Sequence, residues 1–579
     1  MKKSFSVLLA STFLATSAWA DESSPPDAAL KVTVSPSKRA LRENIEGYIG
    51  DLGPRDVQAL ERYRGTAERL ARQAAQALGY YQTNIISEVT PTDPPLLTLY
   101  VHRGEPVLLD DVVIKVEGEA ALQESFKIPQ SDELASGAQL NHGTYESAKS
   151  AIQSQASRYG YFQGKFVEHT LLIDPDLGIA DIALIYDSGP RYRFGDITFD
   201  TTTPLDDALL RRMVPFEPYS EYDAEHIAEL YNALQSSGYF RSVRIDAEPG
   251  ASADQTVPLY VDLDMRLPRS LNFGVGMSTD VGPRLRAAWT KHWANRYGHS
   301  YGYEAELSAP RQNVGLFYDM PGKKPLTDKL RYAAGYQYAE IADTDSLSRL
   351  LTVGPEWHYR LPNKWQRVLS LKWQHESYRL GDDTGTSTLL LPGVSYSILE
   401  TDNKLDPSEG YRLAFEVRGA KSGVLSDADI IHSSVTAKGL KTFKEEHRVL
   451  ARLQVGANIS KGYSNVPPSL RFFAGGDQSV RGYDYQALSP RNNRDERIGG
   501  RYMLAGSLEY QYEFKEKWRA AAFIDKGGAF NGLNLPALKT GVGVGLRWVS
   551  PIGPLRVDLA NGLDEDGGFR VHFSMGPEL

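Results

Sequence analysis

The C-terminal part of the chain alternates apolar residues with polar residues or glycines over four successive segments. They are 504–514, 518–527, 541–548 and 569–575. A strand with one apolar and one polar face suits the wall of a barrel that meets lipid outside and water inside. The four segments therefore predict a transmembrane β-barrel.

One of these strands has a bare face, because Gly541, Gly543 and Gly545 all lie on its polar side. Three glycines in one row leave a smooth wall on which another piece of chain can pack closely. We expect that piece to be 472–490, which is too rich in glycine and polar residues to continue a strand. The sequence therefore predicts a lid that folds inward onto a glycine wall.

Twelve further segments alternate in the same way and are separated by turns rich in Gly, Asn, Asp and Pro. They are 271–277, 285–293, 301–307, 314–319, 330–338, 351–359, 367–373, 389–397, 411–417, 430–437, 449–457 and 555–559. With the first four, they give about sixteen strands, and an even number suits a closed bacterial barrel. In the segment 555–559, Arg556 and Asp558 face inward by the same alternation.

The N-terminal half contains a repeat. A predicted helix ends at a glycine followed by aromatic residues at Gly79, Gly160 and Gly238, a period of roughly 80 residues. A C-cap glycine before an aromatic strand start explains each junction. Three matched copies predict three tandem α+β modules, each with a strand, helices and two further strands, and an exposed sheet edge that could accept a guest strand.

The start of the chain has the pattern of a secretory signal, with Lys2 and Lys3 before a short apolar run and a small-x-small site at Ala18 and Ala20. The chain has no cysteine, so disulfides are excluded, and its net charge of -9 argues against nucleic-acid binding. The predicted domains are a signal peptide at 1–20, modules at 21–105, 106–189 and 190–266, and a barrel at 267–579 with an inward lid loop at about 461–500.

Three motifs carry a resemblance to a known family. They are Val480-Arg481-Gly482-Tyr483 in the lid, Phe523-Ile524-Asp525-Lys526-Gly527 on a later strand, and the glycine-rich strand at 541–545. Together they resemble the signatures of the BamA-like outer-membrane insertase superfamily, which joins POTRA (polypeptide-transport-associated) modules to a sixteen-stranded barrel. The three modules, the joint at 189–195 and the ending at 576–579 resemble the TamA branch, the outer-membrane subunits of translocation and assembly modules.

The resemblance, which covers essentially the whole mature chain, implies how the lid is held. Arg481 is expected to reach Asp525 on the inner wall, with Glu509 as a second partner, since both carboxylates face inward by the strand alternation. The other motif positions are Val480, Gly482 and Tyr483 in the lid and Phe523 and Gly527 on the wall. The alternative is that Arg481 is a solvated loop residue.

A seam should lie between the first and last strands, since a barrel closes only when these two pair. The first strand carries Gly274 and Gly276, and glycine weakens strand pairing. The expected partners on the last strand are Phe569, Val571 and Phe573. We expect this lateral seam to open sideways, so that its free edge templates a client strand that leaves into lipid; the alternative is a permanently closed seam.

The expected function is non-enzymatic: an outer-membrane factor that inserts or secretes β-rich clients such as autotransporters. No catalytic, metal or cofactor motif is present, and 375–379 lacks the second histidine of HExxH. The resemblance implies a TamB-like inner-membrane subunit bound through POTRA modules in the periplasm. Unfolded outer-membrane proteins and outer-membrane lipid are the other expected partners, and no nucleic acid is expected.

Several alternative functions remain open. A two-partner-secretion transporter that exports one dedicated substrate typically has two modules and a plug helix, which the three modules argue against. Lipid transport with a periplasm-spanning partner is another possibility. A passive porin would leave the modules unexplained, and a barrel enzyme lacks a catalytic constellation.

Overall fold

The computed structural model describes residues 27–200, 202–249, 254–341, 346–381, 383–534, 536–550, 553–565, 567–576 and 578–579. The predicted signal peptide at 1–20 lies outside the described residues. Of the helices in the described ranges, none is both long and apolar enough to cross a membrane.

Three modules with the same sheet order precede the barrel. The first contains β1 (Ala29–Ser35), α1 (Arg39–Ile49), α2 (Val57–Ala77), β2 (Asn84–Thr90) and β3 (Leu96–His102). The second contains β4 (Leu108–Glu117), α3 (His142–Arg158), β5 (Lys165–Asp174) and β6 (Ile179–Asp187). The third contains β7 (Arg193–Phe199), α4 (Asp207–Arg211), α5 (Ala224–Ser236), β8 (Phe240–Ala247) and β9 (Thr256–Met265).

In each module the last strand lies in the centre of a three-stranded sheet, in the orders β1-β3-β2, β4-β6-β5 and β7-β9-β8. The first two opening strands run parallel to the central strand, while the penultimate strands pair with it in antiparallel fashion. Helices cover one face, as α2 does with Leu60 and a row of buried alanines. Its first turn is capped by Asp56, whose carboxylate accepts from the backbone N–H of Ala59. Each sheet therefore has two edge strands, and the outer edges of β4 and β7 are partly covered through bridges to Gln139 and Glu221.

Sixteen strands then close into an antiparallel barrel in which neighbours in sequence are neighbours in the wall. They are β10 (Arg269–Ser278), β11 (Gly282–Lys291), β12 (Ser300–Ser308), β13 (Arg311–Pro321), β14 (Asp328–Ile341), β15 (Ser346–Arg360), β16 (Gln366–Leu380), β17 (Asp383–Thr401), β18 (Glu409–Ala420), β19 (Ile430–Phe443), β20 (His447–Ser460), β21 (Tyr502–Lys515), β22 (Trp518–Phe530), β23 (Lys539–Ser550), β24 (Gly553–Gly562) and β25 (Phe569–Met575).

The predicted alternation sorts the barrel residues into two faces. Ile524 and Val544 are exposed on the outside, whereas Asp525 and Glu509 are buried inside.

The proximal end of the barrel is the end at which β10 begins, and the distal end is the one at which it finishes. The connection between β20 and β21 starts at the distal end, and its central part, 472–490 (the lid), packs within the barrel. The fold therefore is a sixteen-stranded barrel preceded by three small α+β modules, with a chain segment inside the lumen.

Candidate functional site

The lid is held on the inner wall through Arg481, which is buried and touches three carboxylates. Its Nε and Nη2 donate to the two oxygens of Asp525 at 2.7 and 2.9 Å. Its Nη1 lies 2.8 Å from Glu509 and 3.0 Å from Asp558. The guanidinium carbon also lies 3.3 Å from the centre of the Phe523 ring. The planar, forked guanidinium is needed for this arrangement, since an ammonium group could not serve two oxygens of one carboxylate in parallel.

A second buried arginine completes the charge cluster. Arg547 donates to Glu509 at 2.8 and 3.0 Å and to Asp558 at 2.6 Å. Asp525 also accepts from the backbone N–H of Arg481 at 3.0 Å. The carboxylates are thus hydrogen-bonded and compensated by charge, which a buried ion cluster requires. This arrangement fixes the position of the lid more clearly than it adds net stability.

The residues beside Arg481 fit the wall closely. Gly482 has φ +90°, and a Cβ there would lie 2.5 Å from the backbone nitrogen of Gly562. Its N–H donates to Nε2 of His572 at 3.0 Å. Val480 and Tyr483 are buried, and the Tyr483 hydroxyl donates to the Asp564 carboxylate at 2.9 Å. The tetrapeptide therefore has one backbone position that favours glycine, two side chains with defined hydrogen-bond partners, Arg481 and Tyr483, and one buried apolar side chain, Val480.

The three glycines of the predicted wall have different nearest neighbours. A Cβ on Gly541 would lie 1.9 Å from the carbonyl oxygen of Arg481. At Gly543 it would lie 2.4 Å from both the Leu559 carbonyl oxygen and the Phe523 ring, and at Gly545 it would meet the Asp558 carboxylate. The second and third glycines therefore make room for neighbouring wall groups, among them the side chains that hold Arg481.

Gly527, the last residue of the predicted wall motif, lies close to the neighbouring strand. A Cβ at Gly527 would lie 2.7 Å from the Cα of Ala505 on β21. This glycine therefore permits a close approach between two adjacent strands.

The seam between β10 and β25 has a single register pair, Ser278 opposite Ser574. The backbone N–H of Thr279 adds one hydrogen bond to the carbonyl of Phe573 at 2.9 Å. By contrast, β25 pairs with β24 along its whole length, from Phe569 to Met575. The barrel wall is therefore weakest at this junction.

The predicted seam residues lie on the right strands, but not opposite one another. Gly274 and Gly276 pair with Arg286 and Arg284 of β11. Phe569 and Val571 pair with β24 only, and the single seam register pair lies distal to the two glycines. The weakness thus comes from the shortness of the pairing and not from glycine alone.

The lid also contacts both strands that flank the seam. The backbone N–H of Asp477 donates to the carboxyl of Asp280, in the turn between β10 and β11, at 2.8 Å. On the other side Asp484 forms an ion pair with Arg570 of β25. Burial, followed by the neighbouring Asp477 carboxylate, raises the pKa of Asp280 to about 8. One chain segment therefore bridges the weak junction in the wall.

Sequence reasoning placed Asp558 on the inward face but did not identify it as a partner of Arg481. The strand alternation placed Arg547 and His572 on the polar faces of their strands without assigning them a contact, and it did not single out Asp280. Nothing local in the sequence marks Asp280. Across the described ranges, no group of His, Asp and Glu is arranged to hold a metal ion.

Comparison with known families matches most of the chain. Residues 268–578 match the Omp85 superfamily domain. Residues 31–103 match the family described as POTRA domain TamA domain 1, and residues 192–266 match the family described as surface antigen variable number repeat. The first match covers more than half of the chain and includes the lid and both seam strands.

Individual relatives agree with these matches. The outer membrane protein assembly factor BamA of Neorickettsia risticii is 25% identical over 570 residues, which cover 92% of this chain and 74% of the relative. BamA of Nitratidesulfovibrio vulgaris is 29% identical over 392 residues, and the match covers 59% of this chain and 46% of that relative. The crystal structure of Haemophilus ducreyi BamA lacking POTRA domains 1–3 superposes with a TM-score of 0.68 at 18% identity, covering 81% of this chain and 99% of that one.

Proposed function

Because this chain belongs to the Omp85 superfamily, we propose that it assembles β-rich proteins into the bacterial outer membrane through the seam between β10 and β25. The single observation that carries the proposal is the shortness of that junction. A strand edge whose backbone groups are largely unpaired is a template for another strand. The junction faces lipid, where an incoming strand would complete the missing hydrogen bonds.

The lid supports this proposal because it is bound to both sides of the seam. Arg481 of the lid is held by the inner wall. Asp477 contacts the turn between β10 and β11, and Asp484 contacts β25. Opening of the seam therefore has to stretch or release at least one of these contacts. In this mechanism the lid limits opening when no client is present, and a client strand replaces the lost contacts with ladder hydrogen bonds.

A finer assignment concerns the branch of the superfamily. The match of residues 31–103 to TamA domain 1 favours a translocation and assembly module, with autotransporters among the clients. On this proposal the periplasmic modules bind a TamB-like inner-membrane subunit, and the first module is the best placed for it. Two relatives named BamA, an outer membrane protein assembly factor, support assembly in the broader sense.

The proposal is tested by locking the seam. The chain has no cysteine, so Ser278→Cys with Ser574→Cys introduces a single disulfide between residues that are register partners. The oxidised protein in liposomes should fail to insert a β-barrel client made by in vitro translation, and reduction should restore insertion.

The matched control is Leu559→Cys with Val571→Cys, which crosslinks β24 and β25 where the ladder is already continuous. This disulfide should leave insertion unchanged in both redox states. Normal insertion by the oxidised 278–574 protein would show that clients do not use the seam.

A further inference from the structure

A row of three cations crosses the inner wall at one level of the barrel. Arg412 on β18 is the register partner of Lys438 on β19, which is the register partner of Arg452 on β20. Cross-strand partners on one face have Cβ atoms about 4.5–5.5 Å apart, and like charges in this position repel. All three face inward, since Tyr411 and Leu453 beside them are exposed on the outside. The row therefore costs stability unless something negative offsets it.

Two members of the row line a cavity in the lumen beneath the lid. Arg556 of β24 joins Lys438 and Arg452 in its lining, together with Ser507 and Ser574. The cavity volume is about 50 Å³, against the 10–15 Å³ or so that one water needs. The cavity therefore has room for a small oxyanion.

These cations lack the partners that the other lumenal arginines have. In the described part of the chain, none of Lys438, Arg452 and Arg556 forms an ion pair with a carboxylate, although four carboxylates line the same cavity: Asp477, Glu509, Asp558 and Glu578. The last three are bound by Arg481, Arg547 and Arg448, and the Asp477 carboxyl hydrogen-bonds with Asp280.

Lys438 and Arg452 each donate to one backbone carbonyl instead. Lys438 donates to the carbonyl of Glu578 at 3.3 Å, and Arg452 donates to the carbonyl of Ser479 in the lid at 2.9 Å. The Nε of Arg556 is buried without a hydrogen-bond partner. Buried donors without an acceptor are costly, so the side of the cavity formed by Lys438, Arg452 and Arg556 is complementary to a group that accepts hydrogen bonds and carries negative charge.

We infer that this cavity is an oxyanion site, formed by Lys438, Arg452 and Arg556, that takes a carboxylate or phosphate group. Guanidinium forks and an ammonium suit both anions, and the serine hydroxyls supply further donors. The oxyanion comes either from a polypeptide segment in the lumen or from free phosphate. The site goes beyond seam-driven assembly, because it lies on the inner wall and binds its ligand without a client strand at the seam.

The test is calorimetric titration of the detergent-solubilised full chain with inorganic phosphate, at constant ionic strength. The wild type should bind, and Lys438→Met and Arg556→Met should each weaken binding at least tenfold. Lys404→Met is the control, because Lys404 is an exposed cation in the turn after β17; it should change the affinity less than twofold. Titration with an acetylated tetrapeptide and with its C-terminal amide distinguishes a peptide carboxylate from free phosphate as the preferred ligand.

A second readout separates a binding role from a structural one. Removing one of several mutually repelling cations should leave the melting temperature of the phosphate-free protein unchanged or higher in Lys438→Met. Phosphate should then raise the melting temperature of the wild type more than that of the variant. The inference is overturned if the wild type binds neither phosphate nor the peptide acid, if all variants bind equally, or if Lys438→Met melts lower without phosphate. The seam crosslink experiment is unaffected by any of these results, because the titration involves no client.

Discussion

The contacts of Arg481 could not be restored by swapping its charge with that of Asp525. Asp525 takes its fork, while Glu509 and Asp558 take the third nitrogen and are shared with Arg547. If Arg481 and Asp525 were replaced by residues of opposite charge, the acid at position 481 would face two remaining carboxylates. Loss of one partner from a buried pair costs about 3–5 kcal/mol of stability. Here the loss of Arg481 would leave three carboxylates with one fewer cation. The cluster therefore acts as one unit.

At Asp280 the lid contact should depend on pH. Its raised pKa, about 8, means that the docked state holds a proton that the undocked carboxyl releases near pH 4. Docking is thus strongest below about pH 4 and weakens as pH rises towards 8. Asp477 and Asp484 on the lid oppose ionisation of Asp280, whereas Arg570 of β25 is paired with Asp484.

Asp280→Asn should remove this dependence, because an amide can accept from Asp477 N–H without losing a proton. Amide hydrogen exchange at Asp477, corrected for the intrinsic effect of pH, should speed up from pH 5 to 8.5 in the wild type and change little in the variant. Asp495→Asn, at an exposed ion pair in the same loop, is the control and should behave as the wild type does. An equal rise in exchange in Asp280→Asn would disprove the titrating contact.

At the scale of elements, the sequence predicted the barrel well because strand alternation is a local property. The inward positions of Asp525, Glu509 and Asp558 followed from parity alone. Pairing across the seam is not local, so the sequence could not show that Gly274 lies opposite Arg286 and that only Ser278 meets β25. The repeat placed one helix before each glycine junction, where α2, α3 and α5 lie, but it located neither α1 nor the short helix α4, whose five residues are too few to show a period.

The glycine strand β23 gives a prediction at this scale. Gly541→Ala places a methyl group against the Arg481 carbonyl, and backbone cannot move aside as a side chain can. The lid should be displaced, and proteolysis of the 461–501 loop in the folded barrel should become at least tenfold faster. Gly315→Ala on β13 is the control, since a Cβ there meets nothing within 4 Å; it should leave the loop protected. Equal protection in both variants would mean that the lid does not rest on Gly541.

Across the whole molecule, the repeated glycine junctions join each module to the chain that follows. The Gly79 carbonyl accepts from the N–H of Val107, and the Gly160 carbonyl accepts from the N–H of Tyr192. At the third junction the carbonyl of Tyr239 accepts from the N–H of Arg266. The first two glycines that marked the repeat therefore also bind one module to the next, and at the third junction the residue after the glycine binds the chain that leads into the barrel.

The second and third junctions differ in a way that separates backbone strain from packing between modules. Gly160 and Gly238 have φ values of +82° and +81°, so alanine at either position carries the same left-handed penalty of about 1–2 kcal/mol. A Cβ at Gly160 would also lie 2.8 Å from Tyr222, whereas one at Gly238 meets nothing within 4 Å.

Gly160→Ala should therefore speed hydrogen exchange at the Tyr192 amide at least tenfold and reduce client assembly, because the modules lose their fixed joint. Gly238→Ala should lower the melting temperature slightly and leave exchange at Tyr192 and client assembly unchanged. If the two variants behave alike, the glycines serve only the turn at the end of each helix, and the joints between modules are held by other contacts.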